Sequence, residues 1–569
     1  MSTPSHILTA QRTTRRRFLL AFGTGLAGLT AACAQPTQPT QPAPPAQPTA
    51  TPQAPAAAPP ALTAAPAAAV PTPQSGAAPK PTSGPAQPKA GGMLVAGNEA
   101  DPNTFDPANM FGLPPRRIGR TIYNALVSVD EQGNVEPELV ESWEQPDDRT
   151  YLLKLRRGVK FHDGTDFNAE AVKFHFDRHL DPKVKSVRAG ELAAVEATSI
   201  VDASTVKVAL KQPFAPFLAA LFDWSGFVVS PAAVQKWGDD YGLHPVGTGP
   251  FKFVEYAKDQ HTIVERNPDY WESGLPRLER ITFRPIPVDS TRLTELRSGG
   301  VHLAEDLPLQ DIPRLKDMSE LVLSIKDGFR FDYFHFVSDK DPYGTNKKLR
   351  QAVNWAVDRQ AILQGAFFGI GAVGYQPFFP GTPFHDPSFR PYTYDLSKAK
   401  QLMQESAAPS PIRFEVGVTS DPVKQRVTQV VQAQLGEIGV QLDIKQMDTA
   451  ARTEWVRNGN YFFDTGWGWW GYRPDPDQYL STLMFSQSNN NYGHIKDPRI
   501  DDLLAKGRAA SRSEERRPIY QQLRDIVSEE CIYIYYWEGP NIKGLSPKVR
   551  DFQHMPDSII RYQRISLEG

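Results

Sequence analysis

The chain has 569 residues, of which 62 are basic and 64 acidic, with 40% hydrophobic residues, 52 prolines and two cysteines. Residues 1–90 hold six of the basic groups and none of the acidic ones, so residues 91–569 carry 56 basic against 64 acidic. A mildly acidic body has no electrostatic footprint for nucleic acid, and with only Cys531 left after Cys33 an intramolecular disulfide in the mature body is excluded.

The N-terminal stretch Thr14-Arg15-Arg16-Arg17-Phe18-Leu19-Leu20 resembles a twin-arginine export motif, and the apolar run Ala21 to Ala32 behind it is too short to span a bilayer comfortably. It ends in Leu29-Thr30-Ala31-Ala32-Cys33, a context similar to a bacterial lipobox with its leucine displaced by one position. Residues 1–33 are therefore expected to be a targeting segment with Cys33 as the lipidated residue. A soluble exported protein and an uncleaved anchor are the alternatives. Residues 34–90 are almost entirely Pro, Ala, Thr and Gln, which cannot bury a core. As a polyproline-type tether they would reach on the order of 170 Å when fully stretched, at about 3.1 Å per residue. The expected location is extracytoplasmic, in a periplasm or on the outer face of the cell membrane, with the anchor as the membrane contact.

The folded body begins with a short strand over Gly92 to Gly97 and the loop Asp101-Pro102-Asn103-Thr104-Phe105-Asp106-Pro107, a position that often carries ligand contacts. The pattern predicts a helix over Arg117 to Leu126 and a strand from Val127 that runs into a turn at Gly133. Tyr151, Leu153 and Leu155 alternate as a half-buried strand does, and so do Val206, Val208 and Leu210. Asn168 is placed to cap a helix that carries Ala169, Val172, Phe176 and Leu180 on one face. His162-Asp163 and Phe174-His175-Phe176 lack a third ligand at a useful spacing, so structural roles are expected for them and no metal site.

Strands are predicted around Thr262 to Glu265 and Ile281 to Arg284, and one amphipathic helix over Lys347 to Phe368. Gly369-Ile370-Gly371-Ala372-Val373-Gly374 is formally GxGxxG. It follows a helix and precedes prolines, the reverse of a dinucleotide site, so no nucleotide cofactor is expected. Strand Ile412 to Val418, helix Pro422 to Ile438 and strand Gln441 to Gln446 read as a βαβ unit, which implies a parallel or mixed sheet covered by helices. Helices follow at Pro498 to Gly507 and Ser513 to Glu530, then an apolar strand from Cys531 to Trp537, where Cys531 reads as a buried small hydrophobe.

The stretch Tyr461 to Leu480 places Trp467, Trp469 and Trp470 within four positions, interleaved with Gly466, Gly468 and Gly471 and followed by Pro474 and Pro476. Glycine and proline at this spacing argue against a helix. Large, low-entropy indole faces on such a backbone suit a binding cleft. Two readings stay open for them: cleft lining, or a buried core strand followed by a turn.

Several separated stretches resemble one family. They are DPNTFDP, LVSVDEQGNVEPELVESWE, TYLLKLRRGVKFHDGTDFNAEAVKF, VGTGPFKF with RNPDYW, LRQAVNWAVDRQAI, and DPDQYL with HIKDPRIDDLLAKG, in that order. They are similar to extracytoplasmic solute-binding proteins of the oligopeptide, dipeptide and nickel class, family 5, which deliver ligands to ABC importers. The resemblance implies an α/β fold of two lobes with a ligand cleft between them, mixed sheets flanked by helices, and an extra inserted domain. By analogy, lobe one comprises 91–124, 231–325 and 539–569, the extra domain 125–230, and lobe two 326–538.

In this placement Phe105 and Asp106 face Trp467, Trp469, Trp470, Tyr472, Arg473 and Asp475 from opposite lobes, where ligand contacts are expected. No catalytic residue, metal or cofactor is implied. The partners would be a small-molecule solute and a permease and ATPase complex, with the receptor itself a monomer. Peptide-binding members resemble W-x-x-D-Y-x-[DE]-P, whose aspartate holds a peptide's α-ammonium, whereas this chain reads Trp470-Gly471-Tyr472-Arg473-Pro474-Asp475-Pro476. Gly471 or Tyr472 stands where that acid is expected. Asp475 keeps the turn, and Arg473 is open to two readings, a turn salt bridge or a contact to a ligand carboxylate or phosphate. The expected solute is organic, peptide-like, glycosidic or aromatic, with a blocked or absent α-amine. An exported enzyme, or a chaperone or sensor on the same fold, is the competing class.

Overall fold

A computed structural model describes residues 91–328, 330–459, 461–466 and 473–568. The expected targeting segment 1–33 with Cys33, the expected tether 34–90, and Trp467, Trp469, Trp470, Gly471 and Tyr472 lie outside the described residues.

The alternating strands assemble as their periodicity requires. Val140–Asp147, Thr150–Leu155, Thr205–Leu210 and Val195–Asp202 form, in that spatial order, a four-stranded antiparallel sheet. Tyr151 pairs with Val208 and Leu153 with Val206, and these side chains are buried on one face beneath helix Ala169–Leu180. Burial of each such side chain stabilises by about 1.5–3 kcal/mol. The Asn168 side chain accepts from the Ala171 N–H as the expected N-cap, a bond whose loss costs about 1 kcal/mol.

A mixed seven-stranded sheet runs in the order Val322–Lys326, Asn541–Leu545, Leu303–Glu305, Met93–Asn98, Arg280–Pro285, His261–Arg266 and Phe251–Ala257. Met93–Asn98 lies parallel to both of its neighbours, and the other pairs are antiparallel. A third, antiparallel sheet holds Phe331–Phe336 between Phe463–Gly466 and Tyr533–Glu538. The expected βαβ unit is present: Ile412–Val418 pairs in parallel with Val440–Gln446, and helix Pro422–Gly436 makes the crossover. The result is a two-lobed α/β architecture of mixed sheets flanked by helices.

Two chain crossings connect the seven-stranded and three-stranded sheets, one between Lys326 and Phe331 and one between Glu538 and Asn541. They run side by side, with the Gly539 N–H donating to the Arg330 carbonyl at 3.0 Å. A Cβ on Gly328 would sit 2.3 Å from the Gly539 carbonyl oxygen, so only glycine admits this approach. Beside the crossings, the buried carboxylate of Asp332 takes Lys424 Nζ at 2.7 Å and Arg330 at 3.3 Å. Burial pushes this carboxyl up, but the two cations overcome that and hold it below the usual carboxylate range.

Three expectations are corrected. The helix expected over Arg117 to Leu126 spans Leu113–Ile122 instead, because Pro114 and Pro115 preset its first turn. The continuous helix expected over Lys347 to Phe368 is two, Lys347–Ala356 and Arg359–Phe367. Asp358 adopts an extended backbone and its side chain accepts from the Ala361 N–H at 3.0 Å, starting a new helix where the pattern alone reads as continuous. The strand expected from Cys531 starts at Tyr533, because Cys531, buried as expected, adopts the left-handed backbone that ends helix Ser513–Glu530.

Gly369 and Gly371, at positive φ, end a helix and bring Ala372 into a bridge with Glu538. A Cβ on Gly371 would meet the Glu538 carbonyl at 2.5 Å, which accounts for that glycine without a nucleotide. The histidines flagged in the sequence make internal hydrogen bonds. His162 Nε2 meets the Gly249 carbonyl at 2.9 Å and His175 Nε2 the Ser225 carbonyl at 2.8 Å, and burial pushes both imidazoles down to about 4.

Candidate ligand-binding site

Helix Leu113–Ile122 is buried along its whole length yet carries three arginines. Burying a guanidinium is expensive unless it is paired, and each one is. Arg116 Nε lies 2.7 Å from Asp223 and Arg120 2.8 Å from Glu138. Arg117 contacts Glu99, Glu305 at 3.2 Å and Asp306 at 3.3 Å.

Arg116 leads into a larger cluster. Asp223 precedes and Trp224 opens the short helix Trp224–Gly226, while Arg188 precedes and Glu191 lies within the short helix Ala189–Leu192. Arg473 arrives from the chain that follows strand Phe463–Gly466, 250 residues away from Asp223. It meets Asp223 at 3.4 Å and Glu191 at 3.5 Å. Glu191 is also held by Arg188 at 2.8 Å and by the Ser225 hydroxyl. Burial raises the Glu191 carboxyl, and Arg473, Arg188 and Ser225 together outweigh it, leaving the group below its ordinary range. Two further bonds join the same surfaces: Gln478 Nε2 donates to the Ala219 carbonyl at 3.4 Å and the Ala215 N–H to the Arg508 carbonyl at 2.9 Å.

The other described site residues make internal contacts. Phe105 is buried, its ring 5.3 Å from that of Phe253 and 5.5 Å from that of Tyr256, and its carbonyl accepts from the Tyr123 hydroxyl at 2.8 Å. Asp106 takes both arms of Arg178, at 2.9 and 2.6 Å, and accepts from the Ala108 N–H. Asp475 takes both arms of Arg516, at 2.5 and 2.7 Å, and accepts from the Asp477 N–H at 2.9 Å. Of the expected residues, Arg473 alone among the described ones joins the cluster, and it does so through long-range ion pairs rather than a local turn.

Sequence reasoning passed over Arg116, Arg188, Glu191, Asp223 and Trp224. No local signal marked them, because Arg116, Arg117 and Arg120 of that helix read as solvated as readily as buried, and their partners lie far away in the chain.

Two lobes of mixed α/β structure joined by paired crossings, with a charged cluster assembled from distant chain segments, define a bilobed binding protein. Residues 134–491 match the family model described as bacterial extracellular solute-binding proteins, family 5 (middle). The glutathione-binding protein GsiB of Escherichia coli (strain K12) is 30% identical over 477 residues, covering 82% of this chain and 92% of its own length. Among solved structures, the periplasmic binding protein DppA from Helicobacter pylori, in complex with the peptide STSA, superposes with a TM-score of 0.76 at 27% identity. That match covers 84% of this chain and 99% of DppA. AgaA from A. tumefaciens R10, in complex with agropinic acid, gives a TM-score of 0.74 at 28% identity, covering 84% and 99%. The chain belongs to the bacterial extracellular solute-binding proteins of family 5, a family of binding proteins.

Proposed function

We propose that this chain is the receptor component of an ABC importer. It captures an organic solute between its lobes outside the cytoplasm and presents it to a permease and ATPase complex. The observation that supports this reading is the set of contacts from Arg473 to Glu191 and Asp223, which joins chain segments far apart in sequence. The lobes are taken as 91–124 with 231–325 and 539–569, and as 326–538, with 125–230 as the inserted domain. A receptor of this kind is open without solute and closed around it, because the solute's differential contacts shift the population. A native mass spectrum of the purified protein should show a co-purified small molecule, and small-angle scattering should show a smaller radius of gyration with that molecule than without. An unchanged curve at saturation would count against enclosure between the lobes.

Attachment to the membrane through Cys33 belongs to the same proposal. One acyl chain binds only marginally, whereas two or more hold firmly, so a lipidated receptor should sediment with membranes. Cys33→Ala should move to the soluble fraction, and a variant that stays with the membrane as wild type does refutes the anchor.

The solute is proposed to be peptide-like, glycosidic or aromatic and to lack a free α-amine. Its relatives bind glutathione, a peptide or agropinic acid by their own descriptions, so ligand chemistry varies within the fold. Here Gly471 or Tyr472 replaces the acidic anchor, and an unpaired ammonium in a closed cleft costs several kcal/mol, while micromolar affinity amounts to about 8 kcal/mol. Calorimetry with free and N-acetylated di- to pentapeptides should show no tight binding that requires the free amine. Tight binding lost on acetylation would return the protein to the amine-reading receptors.

A further inference from the structure

Around Trp224, hydrogen-bond donors outnumber acceptors. The guanidinium carbons of Arg188, Arg473 and Arg116 lie 4.4, 5.1 and 5.7 Å from the indole centroid. Against these three cations stand two carboxylates, Glu191 and Asp223. Asp557 lies within electrostatic reach of Arg116 but is itself paired with Arg561 at 2.9 Å, so it leaves the surplus of one positive charge in place.

The unmet hydrogen bonds point the same way. Arg116 Nη2, Arg188 Nε and Trp224 Nε1 are buried without a partner, although their residues are only 3, 8 and 8% exposed. All three are N–H donors, and no acceptor of Glu191 or Asp223 is among the buried unpartnered atoms. Buried donors are ordinarily satisfied, so a group that brings acceptors suits this place. Arg473 reaches its two carboxylates only at 3.4 and 3.5 Å, longer than the roughly 2.7–2.9 Å of a charge-assisted bond.

We propose that this cluster receives a carboxylate of the solute, with Arg116 and Trp224 donating to its oxygens and Arg473, from the opposite side, completing the grip. The surplus charge favours an anion over a neutral carbonyl, and the guanidinium fork and the indole N–H favour a planar acceptor. The assignment deepens the receptor reading and rests on it. The cation on one side and the Asp223–Trp224 loop on the other also give an anionic solute differential contacts between open and closed forms.

Benzoate and its neutral isostere benzamide are suitable probes, measured by thermal shift and calorimetry on the whole folded protein at one ionic strength set with sodium chloride. Benzoate is expected to bind at least about ten-fold more tightly than benzamide, as one charge-assisted hydrogen bond provides. Trp224→Phe keeps the ring and removes the donor, and Arg473→Gln removes the closing cation; each should weaken benzoate by about ten-fold and leave benzamide unchanged. Arg116→Gln should do the same, and if it fails to fold the other two variants still decide. Equal binding of the two probes, or benzoate affinity retained in both Trp224→Phe and Arg473→Gln, overturns the assignment. Should a neutral or cationic solute co-purify and compact the protein while benzoate fails, the anion site is refuted and the receptor reading stands. Absence of any solute-dependent compaction strikes the receptor reading instead.

Discussion

Arg516→Met is expected to lower the unfolding free energy by about 3–5 kcal/mol, the range for breaking one side of a buried ion pair. Arg516 and Asp475 are 7 and 6% exposed, and the two guanidinium–carboxylate bonds are joined by one to the Gly507 carbonyl at 2.8 Å and one to the Tyr520 hydroxyl at 3.0 Å. Removing the cation leaves Asp475 as a buried charge two residues from Asp477. Burial already pushes the Asp477 carboxyl up, Arg508 opposes that, and Asp475 adds to the rise. The damage should fall on the packing of helices Asp477–Met484, Pro498–Ala509 and Ser513–Glu530, where Tyr479, Leu504 and Tyr520 share one core.

Urea unfolding gives the number directly, and a loss below about 1 kcal/mol, the ceiling for exposed pairs, would show that the pair is not buried in solution. The double variant Arg516→Met with Asp475→Asn should recover part of the loss, because the stranded charge is gone. Asp475→Asn by itself also separates two roles for this residue. A structural partner loses stability on this change, whereas a ligand residue loses affinity with stability kept.

Stability is also expected to fall steeply on mild acidification. His175 and His335 are 0 and 1% exposed, and each is held neutral in the folded protein. Burial, with Arg178 adding, pushes His175 down to about 4; burial, with Arg452 and His494 adding, pushes His335 down to about 3. In the unfolded chain both titrate near about 6.5. Above pH 7 neither state binds the proton and stability is intact. Between pH 6.5 and 4 the unfolded state takes up protons that the folded state refuses, so each histidine removes about 1.4 kcal/mol per pH unit.

At pH 5 the pair removes about 4 kcal/mol relative to neutral pH. His179, its ring 4.7 Å from that of His175, is depressed by burial and then by His175, and acts in the same direction. Denaturant midpoints at pH 7.5, 6.5, 5.5 and 4.5 should therefore decline from the second point onward. A flat profile down to pH 5 would mean that these imidazoles are not held neutral by the fold.

Local chemistry alone accounts for the elements that periodicity and capping define. Tyr151, Leu153 and Leu155 could be placed on one buried face because a period of two has one interpretation when flanked by polar residues, and Asn168 could be placed at a helix start because its side chain competes for the first free N–H groups. The βαβ unit from Ile412 to Gln446 and the long helix Ser513–Glu530 were legible for the same reason. The separated motifs carried the family.

Strand Phe331–Phe336 was invisible, because Phe-Asp-Tyr-Phe-His-Phe is buried on both faces and so has no alternation. Its Asp332 and His335 look like surface residues until Lys424 and Tyr461 are brought to them from elsewhere in the chain. The cluster around Trp224 is of the same kind. Nothing in a sequence distinguishes a solvated arginine from a buried one, and the pairing of Arg116 and Arg473 with Asp223 exists only once sheet order and lobe packing have closed separations of about a hundred residues and 250. Local propensity acts within a few residues, whereas burial and long-range charge pairing are properties of the assembled chain, and of the cluster around Trp224 only Arg473 was named from the sequence.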